Sequence, residues 1–221
     1  MKELPQRGSA CRGPLLLRLK GTPMTVLPRE FYMRDTCDVA RDLLGKELVR
    51  VHPEGTVSGL IVETEAYRGI ADKASHAFGG RLSRRTAVMF EEGGFAYVYL
   101  IYGMYWCLNI TTRESGVPEC VLIRALEPLT GIDLMYSRRN NPGKKACALT
   151  NGPGKLCLAL AIDGSLYGAD ICGDTLFVRE RQLQDPAEIL ATKRVNIAYA
   201  EEAVHHEWRY FLKGHPCVSR G

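Results

Sequence analysis

The chain has 221 residues, 46% hydrophobic and 24% charged, enough for one sizeable core and unlike a disordered or fibrous composition. Its apolar runs fall far short of the roughly 20 residues that cross a bilayer, and "PLLLRL" at 14–19 is broken by Arg18, so no membrane role is expected. Of 29 bases and 25 acids, five bases and one acid fall in residues 1–26, leaving 24 of each in the rest, so any polyanion-binding surface there must come from local clustering.

In chain order, residues 1–26 lack periodicity and read as a flexible basic tail, with the folded body spanning 27–221. Asp35 can cap a helix over 36–44 that Gly45 closes. "KELVRV" (46–51) and "VSGLIVETEAY" (57–67) read as strands around a "HPEG" turn. Ser83 can cap a short helix ending near "EEGG" (91–94). Strands follow at 95–101, 104–112 and 119–126, then helices near 129–138 and 153–162. A strand near 175–179, a helix at 186–194 and a strand at 208–212 complete the chain. Strands linked by turns and hairpins, without regularly alternating helices, predict an α+β fold. We expect one domain with a mainly antiparallel curved sheet, surrounding helices and a protruding hairpin.

The hairpin is unusual. Tight turns favour Asn-Gly or Asp-Gly, which tolerate positive φ and water. Here "YLIYGMYW" turns at Tyr102-Gly103 and presents Ile101, Tyr102 and Met104 at its tip. Four cysteines, Cys107, Cys120, Cys147 and Cys157, sit inside apolar runs. No cysteine pair has CxxC spacing and none is matched with histidines at zinc-ligand intervals, so buried free thiols are expected and no metal site. Basic residues cluster in "GGRLSRR" (79–85) and "SRRNNPGKK" (137–145), both in stretches that read as loops. Taken singly, each cluster is ordinary solvated charge.

"IVETEAY" puts Glu63, Glu65 and Tyr67 on one strand face and Val62, Thr64 and Ala66 on the other. Alternation alone does not decide which face is the core. Carboxylates two apart in a strand lie roughly 6.5–7 Å apart, within the range used by inverting glycosidases, so hydrolysis of an N- or O-glycosidic bond is one reading. A pair of solvent-facing polar positions is another. His76 lies in a loop running into the basic "GGRLSRR", and Tyr99 belongs to the tyrosine-rich strand. Asn109 and Arg124 interrupt apolar strands and need partners if buried. For Arg124 the obvious partner is a carboxylate, with Glu65 a candidate. A salt bridge serving only the core fits these facts equally.

The strings "VETEAYRGIADKASHAFGG", "YVYLIYGMYWCLNI", "CVLIRALEPLTG" and "GPGKLCLALAI" resemble, in order and over about residues 27–218, the alkyladenine (3-methyladenine) DNA glycosylase family. The resemblance implies a monofunctional base-excision hydrolase acting on damaged purines in double-stranded DNA. It implies no cofactor, no metal and no lyase lysine. Glu65 matches the general base, Arg124 an arginine that fixes the hydrolytic water, and the Val195 carbonyl a further ligand of that water. Tyr67, His76 and Tyr99 match the walls that stack the extruded base, and Asn109 the side chain that crowds purines bearing a 2-amino group. Tyr102 matches the ring inserted into the duplex. Glu63 has no counterpart among the catalytic positions.

An apolar wedge suits that role, because rotating a nucleotide out of the stack costs a few kcal/mol and a ring can fill the vacated space. Arg81, Arg84, Arg85 and Lys155, with Met104 beside the tip, are the candidates for contacts with the DNA backbone. A protein of this kind acts as a monomer, inside the cell with the genomic DNA. Two readings compete with it. One is a carbohydrate-directed hydrolase using Glu63 and Glu65 as acid and base; the other is a non-catalytic nucleic-acid-binding module.

Overall fold

The thirteen residues from Gly55 to Tyr67 form the longest strand and the spine of the molecule. The structure is a computed structural model that describes residues 25–140, 145–181 and 187–219. Its strands are β1 (Glu47–His52), β2 (Gly55–Tyr67), β3 (Ala96–Ile101), β4 (Tyr105–Thr112), β5 (Glu119–Thr130), β6 (Leu176–Arg179), β7 (Ile189–Thr192) and β8 (Arg209–Leu212). The helices are α1 (Arg29–Tyr32), α2 (Thr36–Asp42), α3 (Ile132–Arg139) and α4 (Pro153–Ala159), joined by 3-10 turns.

Every pairing between these strands is antiparallel, in the order β3-β4-β5-β2-β1-β6. One edge of β2 pairs with β5 along most of its length. The other edge is shared, with β1 on residues 55–60 and β8 on residues 63–65. The sheet therefore divides and curls at the middle of β2, giving the expected α+β fold with its antiparallel curved sheet.

Each strand of this sheet sends alternate residues to opposite sides. Val62 and Ala66 of β2, Ala96 and Val98 of β3, Leu108 and Ile110 of β4, and Val121, Ile123 and Ala125 of β5 enter the main core, where Val39 and Ala40 of α2 pack with them. The Thr64 hydroxyl, on that same face, donates to the Ala40 carbonyl at 2.8 Å. Asp35 caps α2 as expected, its side chain accepting from the Cys37 N–H at 2.9 Å. On the other side of the sheet Tyr97 and Cys120 gather with Met89, Val88 and Ala77, and Tyr67 and Tyr99 pack against them.

Several expectations need correction. The body begins before residue 27: Val26 bridges Arg179 at the sheet edge and is buried with Val49 and Phe177. The rest of the expected tail lies outside the described residues. Residues 189–192 form a strand, not part of a helix, because pairing with β8 outweighs the helical propensity of "AEILATKR". β5 continues through Thr130, so the following helix starts only at Ile132. Ser137 to Arg139, expected in a loop, close that helix, and the Arg138 guanidinium is held by Glu54 at 2.9 Å. The cysteines are not all free. Cys147 and Cys217, 70 positions apart, form a disulfide, while Cys37, Cys107, Cys120 and Cys157 are buried thiols. Spacing could not reveal the pair, because chain reversal brings the two residues together only in the finished fold.

Candidate active site

Residues of opposite parity to the core, drawn from four strands, face one cavity. Tyr67 of β2, Tyr97 and Tyr99 of β3, Cys107 and Asn109 of β4, and Leu122 and Arg124 of β5 line a space of roughly 290 Å³. The segment around Val195 closes one side and His76 another. Strand alternation produces most of this convergence, since each strand that feeds the core with one parity feeds the cavity with the other.

Glu65 lies at the back of that space with no solvent exposure. Its Oε1 accepts from the Val195 N–H at 2.7 Å and lies 3.2 Å from Arg124 Nη1. Its Oε2 accepts from the Tyr67 hydroxyl at 2.9 Å. The three donors all line the cavity, so the carboxylate is ionically and geometrically fixed directly behind the cavity surface. Burial, and then the Glu65 charge, push the Tyr67 phenol well above its ordinary pKa, so it remains a donor at any physiological pH.

Arg124 owes its aim to an irregularity. Along β2 and β5, Glu63 pairs with Ala125 and Thr64 with Ile123, so Arg124 is an extra residue without a partner. Such a bulge kinks its strand and redirects a side chain. Arg124 Nε meets Glu63 Oε1 at 2.8 Å while Nη1 reaches Glu65. Glu63 is also fully buried and accepts three further hydrogen bonds. Arg209 Nε donates to Oε1 at 2.7 Å, the Ser219 hydroxyl to Oε1 at 2.9 Å and the Ser219 N–H to Oε2 at 2.7 Å. Burial opposes its ionisation, yet Arg124, Ser219 and Arg209 together hold the carboxyl below the ordinary carboxylate range. A carboxyl so held keeps no proton to donate, so Glu63 is not the acid of a Glu63–Glu65 glycosidase pair.

The walls are aromatic. His76 and Tyr99 meet edge to face with centroids 4.7 Å apart, and Tyr97 lies beside Tyr99 at 5.3 Å. Burial, reinforced by the nearby Arg85 charge, lowers the His76 pKa to about 4, so the imidazole is neutral at pH 7. His76 Nε2 sits 3.1 Å from Arg85 Nη2, which can only donate, so Nε2 accepts. The ring proton is thereby assigned to Nδ1, which donates to the Tyr97 hydroxyl at 2.7 Å. Asn109 donates from Nδ2 to the Tyr97 carbonyl at 3.2 Å, which fixes the orientation of its amide at the cavity floor.

At the mouth stands the hairpin between β3 and β4. Tyr102 (φ +53°) and Gly103 (φ +67°) both adopt the left-handed region, and the Met104 N–H closes the turn on the Ile101 carbonyl at 3.1 Å. For Gly103 this φ is free; for a tyrosine it costs roughly 1 kcal/mol. The ring gains no compensating burial, being 75% exposed, with Met104 at 66% beside it. Close backbone approach braces the stem. A Cβ at Gly154 of α4 would fall 2.9 Å from Tyr105 Cβ, and one at Gly164 2.7 Å from the Trp106 ring.

The basic candidates do not form one group. Arg81 and Arg84 are exposed on the loop beside the cavity, and Lys155 is exposed at the start of α4, its Nζ bonded to Asn151 at 2.8 Å. Arg85, also exposed, stacks over the Tyr99 ring at 4.7 Å, in contact with two wall residues. Sequence reasoning missed three participants. Arg194, buried and doubly bonded to Asp72 at 2.6 and 2.8 Å, lies over the Tyr67 ring at 4.8 Å. Tyr97 anchors His76, and Ser219 caps Glu63. Tyr97 could have been found, since it shares the parity of Tyr99; the other two carry no local signal.

Residues 30–216 match the methylpurine-DNA glycosylase family. A relative from Desulfitobacterium hafniense (strain Y51) is 50% identical over 202 residues, covering 89% of this chain and 99% of its own length. One from Clostridium novyi (strain NT) is 48% identical over 205 residues, with 89% and 100% covered. One from Bacillus cereus (strain ATCC 14579) is 49% identical over 201 residues, with 87% and 98% covered. Each is provisionally named a 3-methyladenine DNA glycosylase.

Proposed function

The chain belongs to the methylpurine-DNA glycosylase family, and from that premise we propose that it excises alkylated or deaminated purines from duplex DNA and so starts base excision repair. The substrates are purines of the 3-methyladenine, 7-methylguanine, hypoxanthine and ethenoadenine class. The observation that carries this reading is the placement of Glu65, a buried carboxylate fixed by Val195, Tyr67 and Arg124 behind a cavity walled by Tyr67, His76 and Tyr99.

The mechanism follows from that geometry. Tyr102 enters the duplex from the minor groove as the damaged nucleotide rotates out, and Met104 supports it at the groove. Arg81, Arg84 and Lys155 hold phosphates without reading sequence. The flat base slides between the Tyr67 ring and the His76–Tyr99 pair, where stacking contributes roughly 1–3 kcal/mol. A base made cationic by alkylation gains a further 0.5–2 kcal/mol or so from the electron-rich tyrosine faces. A neutral His76 adds no repulsion to such a ligand. Asn109, its amide locked by the Tyr97 carbonyl, crowds the edge where guanine carries its 2-amino group.

Bond cleavage sends the electron pair of the C1′–N bond to the leaving purine: a cationic base departs neutral, and a neutral one departs as an anion that takes a proton from solvent. The sugar becomes oxocarbenium-like, and the Glu65 charge stabilises it. Water, held by Glu65, Arg124 and the Val195 carbonyl, attacks C1′ and passes its proton to Glu65. The product is an abasic site, and no amine forms a covalent intermediate, so strand cleavage is not expected. The enzyme acts as a monomer and needs no cofactor.

The test is a single-turnover assay on duplexes carrying 1,N6-ethenoadenine or hypoxanthine, reading abasic product. Excision supports the reading. Tight lesion binding without any abasic product would show a binding module instead.

A further inference from the structure

Glu63 does not touch the cavity, yet it accepts four hydrogen bonds close behind it, from Arg124, Arg209 and both donors of Ser219. We propose that Glu63 is a positioning residue for the hydrolytic step, and that Ser219 of the C-terminal segment completes it; this rests on the reading of Glu65 as the base.

The Arg124 guanidinium is a rigid planar fork, so fixing the Nε side sets where the two Nη groups point. Glu63 takes Nε at 2.8 Å and the Ser219 hydroxyl takes Nη2 at 3.3 Å. The remaining arm, Nη1, is left facing Glu65 at 3.2 Å. Glu63 also divides the arginine's charge. Two buried carboxylates face two arginines, and Arg124 is the one that both share. Without Glu63 the guanidinium would be free to rotate and to close fully on Glu65, occupying the side of the carboxylate that must receive a proton.

Ser219 reaches this cluster from 156 positions away, and its path is secured at two points. Cys217 is bonded to Cys147 in the turn Ala146–Leu149. The next residue, Thr150, donates to the Leu126 carbonyl of β5 at 2.6 Å, on the strand that carries Arg124. The last described residues are thus tied to the catalytic strand and not merely laid against the surface.

The experiment measures single-turnover excision at saturating enzyme and lesion-duplex affinity for Glu63→Gln, Ser219→Ala and Arg124→Ala, and for Glu63→Gln combined with Arg124→Ala. Thermal midpoints confirm folding. We expect excision to fall about 10- to 100-fold in Glu63→Gln and about 3- to 10-fold in Ser219→Ala, with affinity held within about threefold. In the Arg124→Ala background Glu63→Gln should cost nothing further, because its effect passes through that arginine. Excision within twofold of wild type in Ser219→Ala or in a folded Glu63→Gln, or losses that multiply in the double variant, would overturn the proposal. If Glu63→Gln does not fold, Ser219→Ala decides alone. A wild-type chain that excises nothing sinks the functional reading as well, an outcome separate from intact excision that ignores Glu63.

Discussion

The Val195 N–H donates to Glu65 Oε1 across 2.7 Å, although 130 positions separate the two residues. The carboxylate is therefore held from its own strand by Tyr67, from β5 by Arg124 and from a distant segment by Val195. Glu65→Gln preserves the shape but cannot take a proton from water. Its single-turnover excision should fall by about 10²- to 10⁴-fold, with lesion affinity changed only severalfold. A variant that keeps a tenth of the wild-type rate would remove Glu65 from the role of base.

Tyr102 sets stability against binding. Its ring is 75% exposed and its backbone sits at φ +53°, a region that asparagine tolerates better. Tyr102→Asn should raise unfolding stability slightly, by about 0.5 kcal/mol, while weakening lesion binding about tenfold or more. Denaturant titration and a binding isotherm on the same preparation check both halves. Unchanged lesion affinity would rule out the wedge.

His76 makes the fold sensitive to acid. Its pKa is lowered from 6.5 to about 4 by burial and by Arg85, so in this range the unfolded chain binds more protons than the folded one. The stability linked to His76 is complete above pH 6.5 and is lost as pH falls from 6.5 towards 4. His76→Gln should flatten that part of the stability curve. Thermal midpoints of the two proteins at half-unit steps from pH 7 to 4 measure the difference, and parallel curves would contradict it.

Arg84 and Arg85, adjacent in sequence, should fail differently. Arg84 is an exposed charge, and Arg84→Ala should reduce the log–log salt dependence of DNA binding by about 1 while leaving saturated excision intact. Arg85 stacks on Tyr99 and bonds His76. Arg85→Ala should lower excision even at saturating enzyme, because a wall of the cavity loses its support. Indistinguishable phenotypes would mean that Arg85 is one more phosphate contact.

Strand alternation carried much of the site in the sequence. The shared parity of Glu63, Glu65 and Tyr67 was legible, as were Tyr99 and the oddity of Tyr102-Gly103. What alternation left open was the side that faces the core, and only the packing of Val62 and Ala66 on α2 decides it. The bulge at Arg124 is invisible because it is a mismatch between two strands, not a property of either. Contacts such as Ser219 with Glu63 and Cys147 with Cys217 depend on closure of long loops, for which no local pattern exists. The strand at 189–192 was misread for a related reason: its partner, not its composition, makes it extended.

Because one register supplies both the packed interior and the chemistry, the length of these strands is frozen. Deleting a single residue inside β3 or β4 would turn the beyond-deletion side chains over, sending tyrosine and asparagine inward and leucine or isoleucine out. Redesign of this protein towards other bases must therefore proceed by exchanging side chains at fixed length, and tolerated insertions should collect in the connections, such as residues 113–118 between β4 and β5.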